Sequence, residues 1–242
     1  MKLSNNTILI TGGTSGIGLE LGRNFLELNN TVILLGRNHA KLNKLEKEGF
    51  ETICCDLSKQ SDIEEASIMI QNQYPKLNML FNNAGIQYNC IFIENVIPLN
   101  RITEEITINV TGQIMLTQLL IPVLNNNGNS FIVNTTSGLG AFPKADGLIY
   151  CASKAAMRNF TVGLRYSLKP NLIKVLELIP PVTDTGMTKG RIETKMPVDK
   201  FVKQIIPQLR KERKILTINK MRLFLWIAFL LPSVAHKIVS KS

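Results

Sequence analysis

Six short runs of β-branched and apolar residues recur along the chain, and a stretch with helical spacing follows nearly every one. The runs fall at residues 7–11, 31–35, 52–55, 79–82, 130–135 and 174–179. Residues 15–29, 39–48, 61–74, 104–124 and 150–168 read as helices, the first with Ile17, Leu21, Phe25 and Leu28 on one face. Pro75 and Pro170 end two of them, because proline drives the residue before it out of helical geometry. Pro122 should kink or stop the longest. Strands alternating with helices at this spacing require right-handed crossovers, and so a parallel sheet covered on both faces. The expected architecture is α/β, a three-layer doubly wound parallel sheet.

A chain of 242 residues fits one such unit, and 45% hydrophobic residues suffice to bury a sheet on both faces. No repeat or linker divides it, so residues 1–242 are expected to form a single domain. Beyond the sixth run come a Gly/Pro-punctuated stretch at 180–197, a helix at 198–211, a short strand at 214–218 and an apolar helix at about 220–238.

The net charge of +10 raises the question of nucleic acid or an anionic membrane. The positive charges are scattered, however, apart from one cluster at 210–214 with no interleaved aromatics, so a nucleic-acid partner is not expected. A basic surface also favours a phosphate-bearing ligand. The four cysteines form no C-x-x-C pair and have no histidine at ligand spacing, so no metal site is expected and reduced thiols in a cytoplasmic protein are the simplest account. No charged-then-apolar leader precedes the first strand, so no signal peptide is expected. The nine apolar residues 223–231 are too short to span a bilayer, which takes about 20.

Between the first strand and first helix lies Thr11-Gly12-Gly13-Thr14-Ser15-Gly16-Ile17-Gly18. Gly12, Gly16 and Gly18 permit a tight turn and let backbone N–H groups approach a pyrophosphate at the helix N-terminus. The end of the second strand then selects the dinucleotide. A carboxylate there would bind the ribose 2′-hydroxyl of NAD, whereas this chain has Gly36-Arg37, and a guanidinium fork suits a 2′-phosphate. NADP(H) is therefore favoured over NAD(H). Asp56-Leu57, after the third strand, is placed to hold the adenine amino group, although Asp56 would serve equally as a helix cap.

Tyr150 and Lys154 are four apart at the start of a helix, hence on one face, and Ser137 lies just past the fifth strand, above the sheet. Carbonyl reduction needs a proton donor for the developing alkoxide, and the reverse reaction needs a base. A free tyrosine titrates near 10, and a neighbouring ammonium is expected to favour its phenolate. Ser137 can hold the substrate oxygen during transfer.

Together these segments resemble the short-chain dehydrogenase/reductase family over about residues 5–190, and with it a Rossmann fold. The family's T-G-x-x-x-G-x-G turn is met by Thr11 to Gly18, its N-N-A-G by Asn82-Asn83-Ala84-Gly85, and its Y-x-A-S-K by Tyr150-Cys151-Ala152-Ser153-Lys154. Its serine falls on Ser137, and its helix asparagine, which holds a water of a proton relay behind the lysine, on Asn109. The resemblance implies a catalytic tetrad of Asn109, Ser137, Tyr150 and Lys154. It implies cofactor contacts at Gly12, Thr14, Ser15, Gly16, Ile17 and Gly18 in the turn, and at Arg37, Asp56 and Leu57. Further contacts fall on Asn83, Ala84, Gly85, Tyr150 and Lys154, and on Pro180, Thr183 and Thr185.

One departure stands out. Where the family usually shows P-G-x-V-x-T, this chain has Pro180-Pro181-Val182-Thr183-Asp184-Thr185, a form that resembles a subgroup labelled DltE-like. Proline fixes φ and removes an N–H, so this loop should follow a different path. The family also implies a substrate lid, here residues 185–200, and association into dimers or tetramers through the two long helices. Met187, Thr188 and Met196 of the lid, and Ile91, Phe92, Ile93 and Val96 before the long helix, are candidate pocket residues for a lipophilic carbonyl or alcohol. The apolar C-terminal helix has three readings: a surface buried by a partner subunit, which is preferred, a cover on the cleft, or an interfacial membrane anchor. The expected function is NADP(H)-dependent hydride transfer to and from a small carbonyl/alcohol substrate; the alternative is a catalytically silent nucleotide-binding sensor or scaffold.

Overall fold

A computed structural model of the protein describes residues 1–93 and 96–234. Seven parallel strands run in the order β3-β2-β1-β4-β5-β6-β7. These are β1 Thr7–Thr11, β2 Thr31–Gly36, β3 Glu51–Cys54, β4 Leu77–Asn82, β5 Ser130–Thr135, β6 Ile173–Leu178 and the two-residue β7 Ile215–Leu216. Strand order reverses between β1 and β4, and the crevice at their carboxyl ends is where such a sheet binds ligands.

Helices cover both faces, as a parallel sheet of apolar strands requires. On one side α1 (Gly16–Glu27) and α7 (Val198–Arg210) bring Leu21, Phe25, Phe201 and Leu209 onto Ile8, Phe81 and Leu178. On the other, α3 (Gln60–Gln73) and α5 (Gly112–Asn126) bring Ile63, Ile70, Leu116 and Leu120 onto Leu9, Ile33 and Leu80. The remaining helices are α2 (His39–Glu46), α4 (Leu99–Ile106), α6 (Leu148–Ser167) and α8 (Asn219–Leu230).

Strands β1 and β5 have the bounds that sequence pattern predicts, and most helices agree to within three residues. The longest helix differs. It begins earlier, at Leu99, and a π-helical turn at Thr107–Thr111 separates α4 from α5. Such turns are rare and recur at functional sites. Here the turn falls where the helix passes the loop after β3 so closely that a Cβ at Gly112 would lie 2.2 Å from the Leu57 carbonyl oxygen. Pro122 sits inside α5 without ending it. By length and composition Leu99–Asn126 could cross a membrane, yet Leu116, Leu120 and Leu124 are fully buried against the sheet, which makes it a core helix. The expected C-terminal helix is present as α8; the part expected beyond residue 234 lies outside the described residues.

Candidate active site

The crevice is built from two loops tied together at one hydroxyl. Thr11 Oγ1, at the end of β1, accepts the backbone N–H groups of Asn83 (2.9 Å) and Ala84 (3.0 Å), just past β4. The glycine turn therefore lies directly against the N-N-A-G segment. Gly12 has φ of +63°, and a Cβ there would stand 2.8 Å from Ala84 Cα. At Gly18 a Cβ would meet Asn83 Nδ2 at 2.6 Å and the Gly12 carbonyl oxygen at 2.7 Å. Both positions need glycine for contact between loops.

One cavity of about 1530 Å³ runs from this turn to the far end of the crevice. Its wall includes Gly12, Thr14, Ser15, Gly16 and Ile17, then Arg37, Asp56 and Leu57, then Asn83, Ala84 and Gly85. Pro180, Thr183 and Thr185 line it too, as do Ser137, Tyr150 and Lys154. Two expected residues stand behind the wall: Gly18, the packing position just described, and Asn109.

At one end, Arg37 reaches Glu104 of α4 at 3.5 Å, with more than half of its side chain exposed. Burial works against the charge on Asp56, but hydrogen bonds from the Ser58 N–H and hydroxyl, and the Arg37 guanidinium, hold its carboxyl below the usual range.

At the other end, Lys154 is fully buried and its Nζ donates to the Thr135 carbonyl oxygen at 2.9 Å. The ammonium lies 5.6 Å from the centre of the Tyr150 ring. Burial lowers Lys154 to about 8, opposed by the charge of Glu105. Burial raises Tyr150 to about 12, opposed by hydrogen bonding with Ser137 and by the charge of Arg191. The expected depression of the tyrosine by Lys154 is not what this environment produces: the lysine is desolvated and directed at a strand carbonyl, and burial of the phenol outweighs it. At neutral pH the phenol keeps its proton.

Asn109 lies in the π turn, fully buried. Its amide donates to the Ile86 carbonyl oxygen (2.9 Å) and Ser153 Oγ (3.1 Å), and its oxygen accepts the Ile86 N–H at 2.8 Å. The side chain therefore pins the loop after β4 to α6. Sequence reasoning missed Glu105, one turn earlier. It is fully buried, accepts the Tyr88 N–H at 3.2 Å on one oxygen, and has no hydrogen-bond partner on the other among the described residues. Burial pushes its carboxyl up to about 7. A charged residue on a face that must pack against α6 was the available signal.

The segment expected as a lid begins where Thr185 packs over the glycine turn, its Cγ2 3.1 Å from the Cβ position of Gly16. The chain then doubles back: Met196 N–H donates to the Val182 carbonyl oxygen and Asp184 N–H to that of Met196. Pro181 is compatible with this path, its carbonyl oxygen accepting the Thr183 hydroxyl at 2.9 Å. Met187, Thr188 and Met196 line the cavity, as do the unforeseen Arg191, Lys144 and Gln87. Ile91, Phe92, Ile93 and Val96 do not; they are exposed on the surface. Helix α8 covers the cavity with its inner face: Phe224, Leu225, Ile227 and Ala228 pack on buried Phe142, with the Phe142 and Phe224 rings 4.3 Å apart. Its outer face, including Trp226, Phe229 and Leu230, is exposed. The cover reading describes the inner face, and the outer face remains apolar.

A dinucleotide fits this chain's residues. Gly12 and Gly18 hold the turn against the loop after β4, and a guanidinium, paired among the described residues only with Glu104 at 3.5 Å, and a hydrogen-bonded carboxylate lie farther along the same cavity.

The short chain dehydrogenase family matches residues 6–196. An uncharacterized oxidoreductase DltE of Bacillus subtilis (strain 168) is 40% identical over 191 residues, 78% of this chain and 76% of that protein. The NADP-dependent 3-hydroxy acid dehydrogenase YdfG of Salmonella typhi is 30% identical over 181 residues, 72% and 71% of the two chains. Among solved structures, a short chain dehydrogenase from Burkholderia cenocepacia in complex with NADP superposes with a TM-score of 0.88 over 99% of each chain, at 21% identity. A short chain dehydrogenase/reductase from Burkholderia phymatum in complex with NAD does so at 0.81, over 95% of this chain and 96% of that one, at 19% identity.

Proposed function

The chain belongs to the short-chain dehydrogenase/reductase family, and from that premise we propose that it is an NADP(H)-dependent oxidoreductase of a carbonyl/alcohol pair, with Tyr150 as general acid and base. The observation that carries this reading is the convergence of Ser137, Tyr150 and Lys154 on the same cavity as the glycine turn and Arg37. NADP(H) is favoured by Arg37, by the absence of a carboxylate at the end of β2, and by the cofactor named for the Salmonella relative.

When bound, the nicotinamide supplies or accepts the hydride. The rest is this chain's chemistry. Ser137 donates a hydrogen bond to the substrate carbonyl oxygen and fixes it beside Tyr150. Tyr150, protonated at neutral pH, gives its proton to that oxygen as negative charge develops. Lys154 stands behind the phenol, and its ammonium steadies the phenolate left by the transfer. Thr135 and Glu105 hold that ammonium in place and in charge. Asn109 keeps α6 and the loop after β4 in register. Reduction suits the resting protonation state; oxidation needs Tyr150 deprotonated first.

We also place the protein in the cytoplasm as a dimer or tetramer, with the exposed outer face of α8 a candidate contact beside the two long helices. The test of function is a titration with NADPH and with NADH, followed by nucleotide fluorescence, in wild type and Arg37→Ala. Tighter NADPH binding that weakens in the variant supports the reading. If neither nucleotide binds, the reading falls.

A further inference from the structure

Arg191 stands apart from the other cations of the cavity. It comes from the segment after β6, lines the same cavity as Ser137 and Tyr150, and is half-buried. Its only side-chain hydrogen bond among the described residues is one donated to Gln87 Oε1 at 2.5 Å, and none of their carboxylates lies within ion-pair distance. Neighbouring Lys144, by contrast, is paired with Asp146 at 3.1 Å. A guanidinium has five donors in a rigid fork, so most of this one is unspent and suited to a carboxylate held bidentately. Its location is also specific. Gln87 and Lys144 both crowd the Cβ position of Gly147, three residues before Tyr150. The charge of Arg191 reaches the Tyr150 hydroxyl, where it lowers the phenol's pKa against burial. Arg37 and the glycine turn, at the other end of the crevice, are the elements placed for nucleotide phosphates.

A second wall of the same space has the opposite character. Met221 of α8 lies against Gly138, the residue after Ser137: a Cβ there would be 2.9 Å from the Met221 sulfur. Phe142, Phe224, Leu223 and Ile227 continue this surface, and all four line the cavity. The cavity thus offers a cation from the segment after β6 and thioether, aromatic and aliphatic carbon from α8 and Phe142.

We infer that the substrate is an amphiphilic hydroxy or oxo acid, its carboxylate held by Arg191 and its apolar chain laid along the inner face of α8. The inference rests on the oxidoreductase reading above and goes beyond it in naming the substrate class and the residue that selects it. The reaction balances as alcohol plus NADP⁺ to ketone, NADPH and a proton, or the reverse, with the carboxylate unchanged throughout.

The experiment measures NADP⁺ reduction by purified enzyme with racemic 3-hydroxyoctanoate, its methyl ester and 3-hydroxybutyrate. It compares wild type, Arg191→Gln, Arg191→Lys and Phe224→Ala. Wild type should favour 3-hydroxyoctanoate over both its ester and the shorter acid. Arg191→Gln should lower the acid-to-ester ratio of kcat/KM by about 10–100-fold, the value of a charge-assisted hydrogen bond, chiefly through KM. Arg191→Lys should recover part of that ratio, and Phe224→Ala should lower the ratio of long to short acid. The NADPH dissociation constant should stay at the wild-type value in both Arg191 variants. A wild type that turns over the ester as well as the acid overturns the inference and leaves the oxidoreductase reading standing. So does an Arg191→Gln that loses acid and ester equally, or one that loses NADPH affinity. If the protein binds NADPH yet oxidises none of these compounds and reduces no ketone or aldehyde of a broad panel, the oxidoreductase reading itself falls, and the inference with it.

Discussion

Thr11 at the end of β1 accepts the backbone N–H of Asn83 at 2.9 Å, and that one contact fixes the glycine turn to the loop that follows β4. The same oxygen accepts from Ala84 and donates to the Phe81 carbonyl oxygen, so its hydrogen-bonding capacity is fully used in a buried place. Thr11→Val keeps the shape but strands two N–H groups. A stability loss of about 1–3 kcal/mol is expected in urea unfolding, with weaker NADPH binding because the turn and its neighbour no longer move together.

Arg37→Ala should weaken NADPH binding by about 10–100-fold while changing NADH binding little, since the guanidinium's partner is the 2′-phosphate. Its pairing with Glu104 is long and largely exposed, so the same variant should cost under about 1 kcal/mol of stability. Glu104→Gln, which releases Arg37 from a competing carboxylate, should tighten NADPH. Fluorescence titration checks the binding changes and urea unfolding the stability, and a Glu104→Gln that weakens NADPH would show that the carboxylate supports the nucleotide site.

Glu105 should make both stability and activity depend on pH. Burial raises its carboxyl from 4.5 to about 7 in the folded protein, so the folded chain holds this proton more tightly than the unfolded chain. Its contribution is fully present below about pH 4.5 and is lost as the pH rises through about 7. The displacement is equivalent to about 3 kcal/mol. Glu105→Gln should flatten that part of the stability profile, measured by urea unfolding at pH 4.5, 6 and 8. The carboxylate also supports the charge on Lys154, which burial lowers to about 8. The variant should therefore move the alkaline fall of kcat/KM to lower pH. An unmoved limb would mean that Glu105 is structural only.

Tyr150→Phe should reduce turnover by about 10²–10⁴-fold, as loss of a general acid does, while NADPH still binds. Ser137→Ala should reduce kcat by about 10²–10³-fold, as loss of an oxygen-positioning donor does. Turnover that survives Tyr150→Phe would assign the proton to another group.

Phe142→Ala removes the buried ring on which α8 packs, and about 3–5 kcal/mol of stability with it. Trp226 is the chain's one tryptophan and lies on α8. Its emission should therefore report the release of this helix at lower denaturant than far-UV dichroism reports global unfolding. Coincident transitions would show that α8 and the sheet unfold as one.

The alternation of apolar runs and helical stretches was enough to specify a doubly wound parallel sheet, because both the period of burial and the handedness of crossovers are local properties. The positions of the glycine turn and Ser137 at strand ends followed from the same pattern, since a side chain just past a strand must project into the crevice, and the four-residue spacing of Tyr150 and Lys154 put both on one face of α6. Other features needed the packed molecule. The titration of Tyr150 and Lys154 depends on how much water their neighbours exclude, which spacing along the chain does not encode. The π turn answers the close passage of Gly112 by Leu57, 55 residues earlier, and Glu105 is buried only because that helix lies against α6. Arg191 meets Gln87 across 104 residues of chain, and α8 meets Phe142 across more than 75. Contacts of such separation leave no periodic trace in sequence, so the character of the substrate pocket was decided by the tertiary fold.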